Sequence, residues 1–400
     1  MRDLDKPLVR VLIVLAIGQL VAWGTVSLPA VVGRQMAADL HMDIAAVFAG
    51  TSVFYVVMGV CGPSLARAFR RYGARHVMIL GTMTAVPGFL LLATANASTG
   101  YFAAWLVLGA AGAAMLSTAA YIMLNEVAGS GARTAIGALM LVTGLSSSIF
   151  WPTTAFLAQL TGWRATCLVY AAAMLLVCLP LYVFGLPRRA ASPSRSEPAD
   201  AVVAGKAPPV AKSTFYLIAS AVALNAFITF GFSAVLIELL RSDGLPPAEA
   251  IAFASLLGVT QVGARGMDFL GGGRWDGVTT AIVAGSILPI AMLVFLVGGG
   301  QYWSIAGFIL FYGLGSGALA VARATMPLAF YDREGYAQAA SRLALPLNLI
   351  SAASPPLMAG LLAHSGSKPL LVLAIVCSCL ALAITLALSV RRPRAVAAIA

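Results

Sequence analysis

Twelve stretches of roughly twenty residues, apolar around their whole circumference, dominate this chain, and only a bilayer accepts so many of them. They lie near residues 11–33, 44–65, 77–95, 101–124, 135–158, 164–186, 214–237, 250–267, 276–297, 302–328, 343–363 and 369–390. A helix of about 20 residues crosses a hydrocarbon core ~30 Å thick. Of 400 residues, 60% are hydrophobic and only 10% charged, whereas an ordinary globular domain carries roughly 25% charged residues. That balance excludes a soluble enzyme, a nucleic-acid-binding domain and a disordered scaffold. A transmembrane β-barrel alternates apolar and polar positions, which these runs do not. The first run is too long for a signal-peptide core and continues without a cleavage site, so it is read as a helix. Cys61, Cys167, Cys178, Cys377 and Cys379 all fall inside apolar runs and have no metal-ligand spacing; they read as small hydrophobes.

Residues 187–213 are rich in Pro, Ala, Ser and charge and read as a linker. They divide the chain into 1–186 and 214–400, each with six spans. The net charge of +11 belongs to the connections. With the N-terminus in the cytoplasm, twenty basic residues fall on the cytoplasmic side and four (Arg34, Arg164, Arg241 and Lys368) outside. The remaining one, Arg323, lies inside a span. This bias predicts cytoplasmic termini and linker for a multi-pass protein of the cell membrane.

The two halves repeat. Ala66, Arg67, Arg70 and Gly73 match Ala264, Arg265, Asp268 and Gly271 at an offset of 198, and Arg75 answers to Arg274. Gln19, Trp23 and Ser27 match Asn225, Thr229 and Ser233 at an offset of 206. Residues at i, i+4 and i+8 share a helix face, so each half opens with a helix carrying one polar stripe. Such a stripe faces protein or water; it reads either as interhelical hydrogen bonding or as part of a site between related halves.

The 6+6 arithmetic, the central linker and the loop Ala66–Arg75 resemble the major facilitator superfamily over nearly the whole chain. The loop is similar to that superfamily's Gly-x-x-x-Asp-Arg-x-Gly-Arg-Arg signature. Arg71, Gly73 and Arg75 are kept; Ala66, Arg70 and Ala74 depart from it. Gly162-Trp163-Arg164, and Gly144 followed by Pro152, carry the same resemblance. More distantly the chain is similar to the monocarboxylate and oxalate/formate porters. The resemblance implies an all-α membrane protein, with twelve transmembrane helices in two pseudo-symmetric six-helix bundles. It implies a cytoplasmic gate of Arg67, Arg71, Gly73, Arg75, Arg265 and Asp268. It also implies a cavity lined by the first, fourth, seventh and tenth helices.

Charge inside the spans narrows the chemistry. Arg near a helix centre costs roughly 2.5–3.5 kcal/mol on the insertion scale. Arg323 is therefore read either as reaching the headgroups from the inner half of its span or as binding an anion. No Asp or Glu lies mid-span, and His41, His76 and His364 sit at span ends, which weakens a proton relay. Glu126, at the end of the fourth span, reads as a solvated helix end or an inner-gate group. Candidate substrate-binding residues are Arg323, Gln19, Trp23, Tyr121, Asn225, Thr229, Ser233, Tyr312 and Asn348. Thr51, Ser52, Tyr55, Ser117, Ser146, Ser147, Ser148, Trp151, Ser316 and Ser351 are further polar groups of the expected cavity helices. No catalytic triad, metal cluster or nucleotide loop is present in the sequence, so neither an enzyme nor a cofactor is expected. The sequence predicts a monomeric secondary transporter of a small organic solute, leaning towards an organic anion, with a coupling ion as a further candidate partner. Efflux of hydrophobic compounds and a non-transporting receptor on the same fold are the alternatives.

Overall fold

The computed structural model describes residues 6–128, 132–187, 212–270, 276–331 and 333–391, with the backbone alone at Lys6, Pro63, Arg133, Asp268, Phe269, Ala324, Leu328, 333–342, 344 and 345. Most of the expected linker (188–211), together with Gly271 and Arg274 of the second loop motif, lies outside the described residues. Regular structure among the described residues is helical throughout. The first span is a broken helix, α1 (Lys6–Val26) and α2 (Leu28–Asp39). Pro29 sits in the first turn of α2, where a missing N–H costs nothing. Helix α3 (Ile44–Thr94) carries the second and third spans. The fourth is α4 (Ser98–Met115) with α5 (Ser117–Ala128). The fifth and sixth run through α6 (Ala132–Thr143), α7 (Ser146–Ala173), a π-turn at Met174–Cys178 and α8 (Leu179–Gly185). The second half is α9 (Lys212–Ser242), α10 (Pro247–Leu270), α11 (Gly277–Gly298), α12 (Tyr302–Thr325), α13 (Arg333–Ser365) and α14 (Ser367–Val390).

Eleven segments are long and apolar enough to cross a membrane, and one of them, Thr134–Gly185, has 52 residues. As one straight helix it would be about 78 Å long, more than twice the ~30 Å core. Gly162, at φ 80° and ψ 164°, turns it back, a positive φ that residues with a side chain rarely adopt. The eleven segments therefore make twelve crossings of a multi-pass membrane protein. The left-handed positions repeat between halves: His41 and Gly244 end the first-to-second connections, and Gly162 and Gly366 the fifth-to-sixth.

Helix α1 starts and α14 ends on one face, here the terminal face. Arg10 donates to Phe184 O at 2.7 Å there, and Arg391 to Ser213 Oγ at 3.1 Å. On the opposite face Asp39 accepts from Trp163 Nε1 at 2.8 Å and from Arg164 at 2.6 Å. Arg164 also donates to Ala95 O at 3.0 Å. The Gly-Trp-Arg motif thus pins the first, third and sixth spans together. The halves meet along α3 with α13, where Ser52 donates to Ala352 O, and along α7 with α10. At the second crossing Gly258 lies so close that a Cβ would sit 2.7 Å from Gly144 O. Small residues at membrane interfaces serve this close approach.

Candidate functional site

Arg265 and Arg323 have their directions set by elementary helix geometry. The Cα–Cβ bonds of an α-helix tilt towards its N-terminus. Helices α10 and α12 both start on the opposite face and end on the terminal face. A side chain in the last two turns of either helix therefore leans back into the bundle, not out to the headgroups. Arg323 accordingly points away from the headgroups. Its Nη2 donates to Thr229 Oγ1 at 3.3 Å, and its guanidinium lies 5.2 Å from the centre of the Phe230 ring. Arg265 Nη1 donates to Met140 O at 3.1 Å across the halves. Helix α6 is interrupted at Gly144 and Leu145, a few residues beyond this carbonyl.

Both guanidiniums line one cavity of about 450 Å³ between the halves. Its wall includes the aromatic side chains of Trp23, Phe48, Tyr55, Tyr121, Trp151 and Phe230, and hydroxyls of Ser27, Thr51, Ser147 and Ser233. Among the described residues the lining contains no Asp, Glu, Lys or His, and no carboxylate is paired with either arginine. The two cations repel one another, and the Nε of each is buried without a hydrogen-bond partner. A paired anion would offset that desolvation; one left unpaired in a low-dielectric site is costly.

The residues expected around this site divide. Arg323, Trp23, Tyr121 and Ser233 line the cavity, and Trp23 Nε1 donates to Ser117 Oγ at 3.0 Å. Thr229 stands behind it as a brace: its hydroxyl accepts from Arg323 and donates to Asn225 O at 2.8 Å, and its carbonyl accepts from Tyr312 at 3.0 Å. Gln19, Asn225, Tyr312 and Asn348 are placed outside the lining. Gln19 and Tyr312 are fully buried, Gln19 donating to Met115 O at 2.6 Å. These two act in the structure as interhelical bonds. Arg265 and Gln261, of the eighth span, are among the lining groups that sequence reasoning did not place there, as are Phe48, Thr143 and Phe230. Leu257, Gln261 and Arg265, one turn apart on α10, were the available signal.

The expected gate is also divided. Arg67 and Arg71 are exposed, Arg71 lying over Tyr72. Gly73 is left-handed (φ 77°) and breaks α3. Arg75 is buried and donates to Val183 O at 2.7 Å in its own half. Glu126 accepts from Ala74 N–H at 3.2 Å, capping the helix that restarts after Gly73. Arg265 lies in the cavity, and the side chain of Asp268 is outside the described residues.

On the opposite face the halves are tied by an ion pair. Arg34 of α2 grips Glu238 of α9, its Nε 2.6 and 2.9 Å from the two carboxylate oxygens. The arginine side chain is 52% exposed and the glutamate 17%. Opening this face must break it. In a background lacking the five native cysteines, Arg34→Glu or Glu238→Arg is expected to raise labelling of Ser27→Cys from this face. The rise should be roughly two- to fivefold, as ~0.5–1 kcal/mol of pairing implies, and the double swap should reverse it. Unchanged labelling in both single variants would show that the pair is not a latch.

Known proteins share this architecture. The human organic anion transporter MFSD10 (TETRAN) superposes with a TM-score of 0.67 at 17% identity, covering 95% of this chain and 100% of its own. A bacterial homologue of the human lysosomal transporter Spinster, inward-facing and unoccupied, gives 0.72 at 16% identity, over 97% and 98% of the two chains. Its occupied inward-facing form gives 0.69 at 16%, over 96% and 97%. At such identities the likeness concerns the fold. No curated protein sequence matches the chain. Residues 15–275 match the family model of the Major Facilitator Superfamily, and with that match, the twelve crossings and the cavity between two related halves, the chain belongs to that superfamily.

Proposed function

We propose that this secondary transporter of small organic solutes carries an organic anion, whose charged group sits between Arg265 and Arg323 while its apolar body lies against the aromatic wall. The observation that carries the reading is the pair of guanidiniums in a cavity whose described lining offers no carboxylate. Arginine's planar fork suits carboxylates and phosphates, with two parallel bonds to one group. The aromatic wall favours an amphipathic anion over a small hydrophilic one. MFSD10, at 17% identity, is itself described as an organic anion transporter. The terminal face is the cytoplasmic one, as the bias of basic residues supports. With the opposite face held by Arg34 and Glu238, this conformation takes its solute from the cytoplasmic side.

The test compares matched acid, amide and amine forms of short, aromatic and long-chain bodies, benzoate, benzamide and benzylamine among them. Binding to purified protein and flux into vesicles of both orientations are the readouts. The acids should bind at least tenfold more tightly than their amides, and Arg265→Gln should remove most of that difference. Equal binding of acid, amide and amine would overturn the anion reading and favour efflux of hydrophobic compounds.

A further inference from the structure

We propose that Phe230 is a positioning residue that couples occupancy of Arg323 to the contact between the two halves. The inference rests on the anion reading of the same cavity. Two groups meet at this ring, and a third holds one of them. The Arg323 guanidinium lies 5.2 Å from its centre. Tyr55, from α3 of the other half, lies 5.8 Å away centre to centre with the ring planes at 70°, an edge contact. The neighbouring Thr229 hydroxyl holds Arg323 Nη2 at 3.3 Å. Tyr55 and Phe230 lie eleven and twelve residues from the opposite-face ends of their helices, roughly 17 Å deep. The ring is therefore an inter-half contact near the middle of the bundle, distinct from the Arg34–Glu238 pair at the rim.

The coupling follows from what an aromatic ring can do. Its negative face attracts the cation and its edge packs against a second ring. An anion bound to Arg323 neutralises the guanidinium and turns its N–H groups away from the ring. The ring then loses the partner that fixes its rotamer, and the Tyr55 contact loosens with it. A buried cation–π contact amounts to roughly a two- to thirtyfold bias in an equilibrium, enough to favour one side of the carrier over the other. Leucine fills similar space but has no face for the cation; tryptophan keeps one.

The experiment uses the full-length protein with Ser27→Cys as reporter of opposite-face access and benzoate as probe. In the parent, saturating benzoate should raise labelling several-fold. With each variant measured at its own saturating benzoate, so that weaker packing against the wall is made up by concentration, Phe230→Leu should show no rise, whereas Phe230→Trp should restore it. Should Phe230→Leu fail to fold, Tyr55→Leu tests the same contact from the other half, with the same expected loss. A rise that persists in these leucine variants overturns the coupling. Complete loss of benzoate binding in both leucine variants also overturns it, because the ring pair would then hold the solute rather than report its charge. Absence of benzoate binding to the parent removes the anion reading itself, and the coupling with it.

Discussion

Replacing Arg323 by glutamine is expected to weaken binding of the transported anion by roughly 30-fold to 5,000-fold while the protein still folds. That range corresponds to the 2–5 kcal/mol typical of truncating one partner of a buried hydrogen-bonded charge pair. Glutamine can still meet Thr229 Oγ1, so the brace that reaches back to Asn225 and Tyr312 is not emptied. What is lost is the charge. Lysine should do less harm, because it keeps the charge but not the planar fork, and its ammonium also loses the ring-stacking geometry over Phe230. The measurement is equilibrium binding to purified parent, Arg323→Lys and Arg323→Gln, with thermal melting as the control for folding. If Arg323→Gln binds as tightly as the parent, the arginine is a structural residue and the anion reading loses its main support.

Leucine at Gly258 is expected to abolish transport, with a loss beyond tenfold, and to lower the melting temperature. A Cβ at this position already falls 2.7 Å from Gly144 O and 2.9 Å from Ser147 Oγ. The hydroxyl can rotate away, but the backbone carbonyl can retreat only by moving the α6–α7 break in which Gly144 lies. Overpacking of this kind costs about 1–3 kcal/mol in a well-packed interior. Here it falls on the interface of the two halves, the surface that must slide during alternating access. Gly263 lies five residues further along the same helix and meets nothing within 4 Å, so Gly263→Leu should be nearly silent. Transport assays on both variants, normalised to membrane expression, separate the outcomes; equal activity of the two would remove the close crossing from the mechanism.

Much of the fold was legible in the sequence because lipid leaves few options. Every backbone N–H and C=O in the hydrocarbon must be satisfied within its own segment, so apolar length alone counts the helices. The twelve expected spans reappear, including the pair hidden in the 52 residues of Thr134–Gly185. The candidate site was only half legible. The stripe Gln19, Trp23, Ser27 is a real helix face, yet only Trp23 and Ser27 line the cavity, while Gln19 is spent on Met115 O. The same stripe in α9 puts Ser233 on the wall, Thr229 behind it and Asn225 deeper still. Helical spacing identifies a shared face, but it does not say whether that face meets a neighbouring helix or a void.

Arg265 marks the sharper boundary between the two levels of information. Its match to Arg67 across the internal repeat places it in a loop gate, and Arg67 itself is exposed. The structure places Arg265 in the cavity, because α10 runs on past it to Leu270 and its side chain leans back along the helix. By itself, then, the sequence determined the solvent, the number of crossings, the internal duplication and the scarcity of acidic groups within the spans, all of which follow from composition and period. Which polar groups face each other across the halves, and that two arginines share one cavity, was decided by helix breaks, tilt and close crossings at single glycines. Those are properties of surfaces packed against each other, and no one segment contains them.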